Sequence, residues 1–376
     1  MRVAELRELL GRATLLPGSK RACVALLLRV APKARSAKPE LQQQLSAGAA
    51  PDEDSGGLAG EGRAAHARKV FAAADVRDLE AFFILRASND DDRWGGQVGL
   101  PGGRQNAGEE DRATAAREVF EEVGLVLPEL DKSLLPNPRK NSPFAFVGRI
   151  HDRKVLQGKN ALIVCSFVYL QVTDETLTLM PEPSEVGACG WSPLDMFLED
   201  DVAQPLSFSV GDMGFPKENP KAFKLMQLLR LDRMFFTMVP LRVDPLYISA
   251  EVDTRTGHAQ PASPSLTPPE DEQAVRQAFY LWGMTLGIVN DLLVDMSGIR
   301  TERIGVTDRI LPGFKVEKLF GSKAHNFLLH SLRRGYHMAF DEPMPWSMYM
   351  RTYPMLVLAL TSATPVILGT SFLSRL

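Results

Sequence analysis

Three glutamates, Glu118, Glu121 and Glu122, stand at i, i+3 and i+4 within Ala113–Val123, a stretch rich in alanine and glutamate with no proline or glycine. That composition predicts a helix, and helical spacing then projects all three carboxylates from one face. Like charges held so close repel unless something neutralises them. A hard divalent cation, Mg2+ or Mn2+, is the natural partner of such an oxygen set, and these ions bridge carboxylates to phosphate oxygens. Glu109 and Arg117 read as supports, with Arg117 pairing a carboxylate and fixing its rotamer. Just upstream, Leu100-Pro101-Gly102-Gly103 is a turn that lets main chain approach a ligand closely, and Gly124 reads as a helix C-cap. A run of acids on a helix is commonly no more than a solvated face. The glycine turn, the arginine and the register set this one apart.

Those side chains need a scaffold, and the apolar patterning supplies one. Ala22–Val30 and Ala81–Arg86 read as buried strands, as do Phe144–Ile150, Ala161–Val172 and Phe235–Val243. A short helix is expected near Leu194–Glu199. Phe279–Val294 reads as an apolar helix against the sheet, with Trp282 and Met284 in the core. Between the first two strands, Ala31 to about Arg68 lacks aliphatics and is expected to be a disordered insertion. Ala259–Glu272 reads as a Pro/Ser-rich loop.

The composition, 45% hydrophobic and 24% charged over 376 residues, fits a folded chain longer than one average domain. A net charge of −3 without a basic stripe excludes a general nucleic-acid binder. Cys23, Cys165 and Cys189 lie in apolar stretches at no metal spacing and are expected to be buried free thiols of a reducing compartment. The histidines form no H-E-x-x-H pattern, which argues against zinc. Met1–Leu16 mixes glutamates with arginines, so no secretory signal is expected.

Taken literally, the chemical segment is Gly103, five residues, Glu109, seven residues, then Arg117-Glu118-Val119-Phe120-Glu121-Glu122-Val123-Gly124-Leu125. It resembles the Nudix box, Gx5Ex7REUxEExGU with U a bulky aliphatic, at every defined position, a match expected by chance on the order of once in 10^8 windows. The resemblance implies an α/β fold, the Nudix α/β/α sandwich with a mixed sheet, here carrying the disordered insertion and a C-terminal extension. It implies two or three divalent ions held by the Gly103 carbonyl, Glu118, Glu121 and Glu122. They would neutralise diphosphate oxygens and activate an attacking water. Many relatives carry a further glutamate in the loop before the final strand, and Glu185 occupies that place. Glu121 or Glu185 is then the candidate general base, with Arg117 counted in the catalytic set.

Three pieces outside the box resemble the coenzyme A diphosphatase branch. Ile84-Leu85-Arg86-Ala87-Ser88 followed by Trp94-Gly95-Gly96-Gln97-Val98-Gly99-Leu100-Pro101-Gly102-Gly103 is similar to its upstream signature. Pro183-Ser184-Glu185-Val186 through Trp191-Ser192-Pro193-Leu194 is similar to its Glu-Val and aromatic-x-Pro-Leu segment. Leu281-Trp282-Gly283-Met284-Thr285 is similar to its Trp-Gly-x-Thr. The chain departs from that branch at Trp94, at Leu100 and in the acidic run Asn89–Asp92, positions expected to select the coenzyme A end. The resemblance implies cleavage of a nucleoside diphosphate-linked substrate, coenzyme A or acyl-CoA first. ADP-ribose, NADH, a nucleotide sugar and non-catalytic sensing are the alternatives, and Arg86 and Gln97 are the phosphate or nucleotide contacts. It places a Nudix domain at 20–298, with insertions at about 31–68 and 199–275, and an extension at 299–376. Ser374-Arg375-Leu376 resembles a peroxisomal import tripeptide, so an import receptor is the expected partner and the peroxisome the expected location. Against that, 355–373 is apolar and long enough to span a bilayer, leaving a membrane tail anchor or the cytoplasm as alternatives.

Overall fold

The computed structural model describes residues 20–48, 58–87, 95–135, 141–154, 162–199, 204–209, 233–249 and 279–297, with a few isolated positions beside them. Asn89–Asp92, Trp94, the loop 259–272, the apolar stretch 355–373 and Ser374-Arg375-Leu376 lie outside the described residues. Among the described residues no helix is long and apolar enough to cross a membrane.

The chain opens with β1 (Arg21–Val30), then three helices, α1 (Pro32–Ala37), α2 (Pro39–Gly48) and α3 (Leu58–Ala73). Next come β2 (Leu79–Arg86), β3 (Val98–Gly99), β4 (Gly102–Arg104) and α4 (Asp111–Val123). β5 (Phe144–Lys154), β6 (Ile163–Gln171) and β7 (Val186–Pro193) follow, then a 3-10 turn at Asp195–Leu198. β8 (Gln204–Ser209), β9 (Arg233–Pro240), β10 (Asp244–Ile248), β11 (Tyr280–Trp282) and α5 (Gly283–Ser297) complete it.

The main sheet runs β10-β7-β2-β1-β6-β5, with β3 on β2 and β4 on β1. It is mixed, because β1 lies parallel to β6 and antiparallel to β2 and β4. β1 reads as one apolar run because both of its faces are covered. Cys23, Ala25 and Leu27 pack with Ala115, Ala116, Val119 and Val123 of α4. Leu26, Leu28 and Val30 face the other way, among residues of α1–α3 and α5. A layer of helix therefore lies on each side of the sheet, which is the expected α/β/α sandwich. β11, β9 and β8 form a separate antiparallel sheet.

Two expectations are corrected. The insertion after β1, expected to be disordered, forms α1, α2 and α3 in its described part. Its few apolar residues recur at helical spacing: Leu41 with Leu45, and Ala67 with Val70 and Phe71, all buried against the sheet. Arg63 and Arg68 of α3 also donate to the carbonyls of Ser142 and Val147, docking the helix along β5. The second correction concerns 279–294, which is not one helix. Tyr280–Trp282 pairs with β9 as strand, and the helix begins at Gly283. The split leaves Met284 exposed at 41% and Trp282 only half-buried, so neither is a core residue of that helix. The 199–275 stretch also supplies β10, which joins the main sheet through β7.

Candidate active site

α4 starts at Asp111, and Gly124 closes it in the left-handed region at φ 73°, its N–H bonded to the Phe120 carbonyl. A glycine fits that conformation without strain. The segment after β6 lies across this end: the Met180 N–H meets the Val123 carbonyl at 3.0 Å, and the Glu182 N–H meets that of Glu122 at 2.9 Å. Carbonyls otherwise unpartnered at a helix C-terminus thereby anchor the loop that carries Glu185. Ser184 Oγ donates to Glu182 Oε1 at 2.8 Å, and the Glu185 N–H to the Glu182 carbonyl, which fixes the turn. From β2, the Ala87 N–H donates to the Glu185 carbonyl at 2.8 Å.

These elements enclose a cleft of about 320 Å³ lined by Glu118, Glu122, Glu185, Arg86, Gly103 and Arg104, among others. Glu118 presses so closely on Gly103 that a Cβ there would lie 2.2 Å from its carboxylate oxygen. Any side chain at Gly103 would evict it. Glu122 is 2% exposed, accepts from the Gly102 N–H at 2.8 Å, and stands 3.7 Å from Arg86 Nη1. Burial pushes its carboxyl up to about 8 despite that hydrogen bond and Arg86, with the charges of Glu118 and Glu185 adding to the effect. Glu118 is raised as well, chiefly by burial, against the pull of Arg117.

Arg117 is the hub on the outer side. It grips Glu109 through Nε at 2.8 Å and Nη2 at 3.1 Å, and reaches Glu118 and Glu121 through Nη1 at 2.9 and 2.7 Å. Its Nη2 also donates to the Arg104 carbonyl at 3.0 Å. Glu109 receives Thr114 Oγ1 and the Asn106 N–H too, and the arginine holds it down to about 2. The pairing expected of Arg117 is thus what the side chains make.

The structure brings Gly103, Glu118, Glu122, Glu185 and Arg86 to one cleft. Glu121 stands at its exposed margin, 55% accessible and tied to Arg117, near enough that its charge raises Glu118. Gln97 does not line the cleft; its carbonyl accepts the Arg86 N–H at 3.0 Å. Arg104 and Ser184 do line it and were not singled out from the sequence. Their only signal there is adjacency, to Gly103 and to Glu185.

The residues fit a divalent cation. The donors are hard oxygens, Glu118 is seated against bare main chain, and Glu122 is buried with too little compensating charge to ionise easily alone.

The profile of the NUDIX domain matches residues 66–208. The uncharacterized protein C14C4.10c of Schizosaccharomyces pombe is 29% identical over 166 residues, 43% of this chain and 46% of that protein, so the match spans about half of the relative. Solved structures with similarity are distant. The NUDIX domain of Shewanella oneidensis NrtR, complexed with ADP ribose, is 12% identical, with 50% of this chain and 82% of that one covered and a TM-score of 0.24. The MutT NUDIX hydrolase of Burkholderia pseudomallei is 16% identical, with 48% and 86% covered and a TM-score of 0.23. At such values the assignment rests on the profile match and the box. The profile begins inside α3 and leaves out β1. Residues 66–208 thus match a NUDIX domain, and the box, Gly103–Leu125, supplies part of the wall of the cleft.

Proposed function

We propose that the domain hydrolyses the diphosphate of a nucleoside diphosphate-linked substrate, coenzyme A or an acyl-CoA, to phosphopantetheine and 3′,5′-bisphosphorylated adenosine. The observation that carries the hydrolysis is the meeting of Glu118, Glu122 and Glu185 with Arg86 over the Gly102-Gly103 main chain in one cleft. What supports the coenzyme A branch is that its resembling segments converge. Arg86-Ala87, Gly102-Gly103 and Ser184-Glu185 all line this cleft, and β11, which carries Leu281-Trp282, packs beside β3.

Glu118, Glu122 and the Gly103 carbonyl would hold a divalent cation, Mg2+ or Mn2+, with Glu121 at the margin of the set. When bound, it supplies positive charge against the diphosphate oxygens and makes water a better nucleophile. Arg86, beside Glu122, would meet the anionic oxygens of the diphosphate. Glu185 takes the proton of the attacking water as its oxygen bonds to phosphorus. The bond from that phosphorus to the bridging oxygen breaks, and the second phosphate leaves with the bridge. Glu109 and Arg117 touch no reacting atom in this scheme and keep Glu118 and Glu121 in place.

The test incubates the full chain with coenzyme A, ADP-ribose, NADH and UDP-glucose and Mg2+ or Mn2+, with products followed by chromatography and mass. Phosphopantetheine released at the highest kcat/KM is expected. Preference for another substrate sinks the coenzyme A reading and keeps the hydrolysis. Binding without turnover would make the domain a sensor. For Ser374-Arg375-Leu376 we propose a peroxisomal import receptor as partner; a fluorescent fusion that keeps its location without those residues would refute it.

A further inference from the structure

Cys23 and Cys165 lie far apart in the chain, yet β1 and β6 set them directly opposite each other in parallel register. Both are free thiols with no solvent exposure. Their sulfurs and a carboxylate oxygen of Asp111 lie within 4.8 Å of one another. Neighbouring strands run about 4.8 Å apart, and disulfides close over Cα separations of about 4.4–6.8 Å. The two sulfurs are therefore within reach of a bond, which a small local shift of β1 against β6 would close. Cys189, the third free thiol, stands on β7 opposite Ile84 and Tyr247, away from both.

A soft metal is the competing occupant of two thiols and a carboxylate. Here the cation's place is already filled. Arg21 donates to Cys165 Sγ at 2.9 Å and to both Asp111 oxygens at 2.7 and 2.8 Å. Asp111 also accepts from Gln105 at 2.9 Å and from Arg149 at 3.0 Å, so its lone pairs are committed.

We propose that Cys23 and Cys165 are a modification site: a small hydroperoxide oxidises the pair to a reversible disulfide that slows the neighbouring active site. The Cys165 sulfur attacks one peroxide oxygen, the O–O bond breaks, and water or an alcohol leaves with the thiol proton. The resulting sulfenic acid is displaced by the Cys23 sulfur, which forms the S–S bond and releases water. Two thiols lose two electrons, and the peroxide gains them. Arg21 N–H supports negative charge as it grows on Cys165. With both thiols fully buried, an oxidant reaches them only through local opening, and a small hydroperoxide needs less of it than a bulky disulfide such as oxidised glutathione. The link to the active site is short. Cys23 pairs across β4 with Gly103, on which Glu118 rests, and Asp111 is the first residue of α4. Closing the bond draws Cys23 toward β6 and removes the Arg21–Cys165 contact at the base of that helix.

The experiment treats the reduced full chain with hydrogen peroxide or with oxidised glutathione, alkylates remaining thiols after denaturation, and maps peptides without reduction. The expected result is a Cys23–Cys165 crosslink lighter by two hydrogens, with Cys189 alkylated, after peroxide only. Turnover then falls severalfold and dithiothreitol restores it. Cys189→Ser stays sensitive to peroxide, and Cys165→Ser loses the sensitivity. The proposal is overturned if both thiols remain alkylatable, if Cys189 takes part, if added Zn2+ is retained and shields the pair, or if the crosslink leaves turnover unchanged. Mapping uses the unaltered protein, so a variant that misfolds does not blunt the test. Should no substrate be turned over, the mapping still decides the chemistry, and protection from proteolysis reports the effect on α4.

Discussion

Glu109 and Glu122 belong to the same box in opposite electrostatic states. Glu109 has an arginine fork, a hydroxyl and a main-chain N–H around it, and is held down to about 2. Glu122 is more deeply buried, with a single N–H at hydrogen-bond distance and an arginine at 3.7 Å, and is pushed up to about 8. The difference separates what the fold satisfies from what it leaves owing. In the proposed scheme a carboxylate already neutralised serves as a brace, while one buried short of partners is the one a cation would complete. The box therefore contains two kinds of glutamate, which its consensus writes with one letter.

The sharpest way to break that division is to neutralise the cleft acids. Glu118→Gln and Glu122→Gln should each lower kcat/KM by about 10^3, the scale of several kcal/mol of charge stabilisation lost. Thermal stability should hold or rise for Glu122→Gln, because the amide is neutral in that buried site without having to take up a proton. A loss of activity below tenfold for both would show that the cleft acids are not the cation's ligands. Glu121 sits between the two groups, exposed and tied to Arg117, yet close to Glu118. For Glu121→Gln we expect a fall of about 10^2. A drop as deep as that of Glu122→Gln would move it fully into the ligand set and make it the stronger rival to Glu185 as base.

On the other side of the comparison, Glu109→Gln should lower kcat/KM by about tenfold, as expected of a group that orients a ligand. It should also lower the melting temperature, since Arg117 loses its bidentate partner. Arg117→Lys should not restore function, because a lysine ammonium cannot reproduce the fork that spans Glu109 while reaching Glu118 and Glu121. Equal activity in wild type and Glu109→Gln would remove the bracing role.

Much of this site is legible in the sequence because the chemistry demands register. Glu118, Glu121 and Glu122 share a helical face only at those spacings, and Gly103 is required where Glu118 presses on main chain. The rest is set by contacts between segments distant in the chain, which no local pattern encodes. Arg104 and Ser184 acquire meaning only once β4 and the loop after β6 meet over α4. The helical insertion is hidden by its average composition, since Leu41, Leu45, Val70 and Phe71 are few but rightly spaced. The split at Gly283 is hidden because a short buried strand and a buried helix are both continuous apolar runs. Burial of Cys23 and Cys165 follows from their apolar neighbours in sequence, while their pairing depends on a parallel register between strands more than a hundred residues apart.

The smallest expected effect is also the one that reads the two acids against each other directly. Glu122 has a folded value of about 8 against an ordinary 4.5. Across that window the metal-free folded protein holds more proton at this group than the unfolded chain, so its stability falls as pH rises. Glu109, at about 2 against 4.5, has the opposite sign: its contribution is present above 4.5 and lost as pH falls toward 2. Melting temperatures measured in chelator between about pH 5 and pH 8, inside the Glu122 window from 4.5 to about 8, should therefore decline in wild type. The decline should flatten in Glu122→Gln and persist in Glu109→Gln, whose window lies below that range. Saturating Mg2+ or Mn2+ should flatten it in wild type as well, because a bound cation favours the ionised carboxylate and is linked to release of its proton. A wild-type slope that Glu122→Gln leaves unchanged would mean another group carries it. Glu122 would then be as well satisfied as Glu109, and the contrast between brace and ligand would fall.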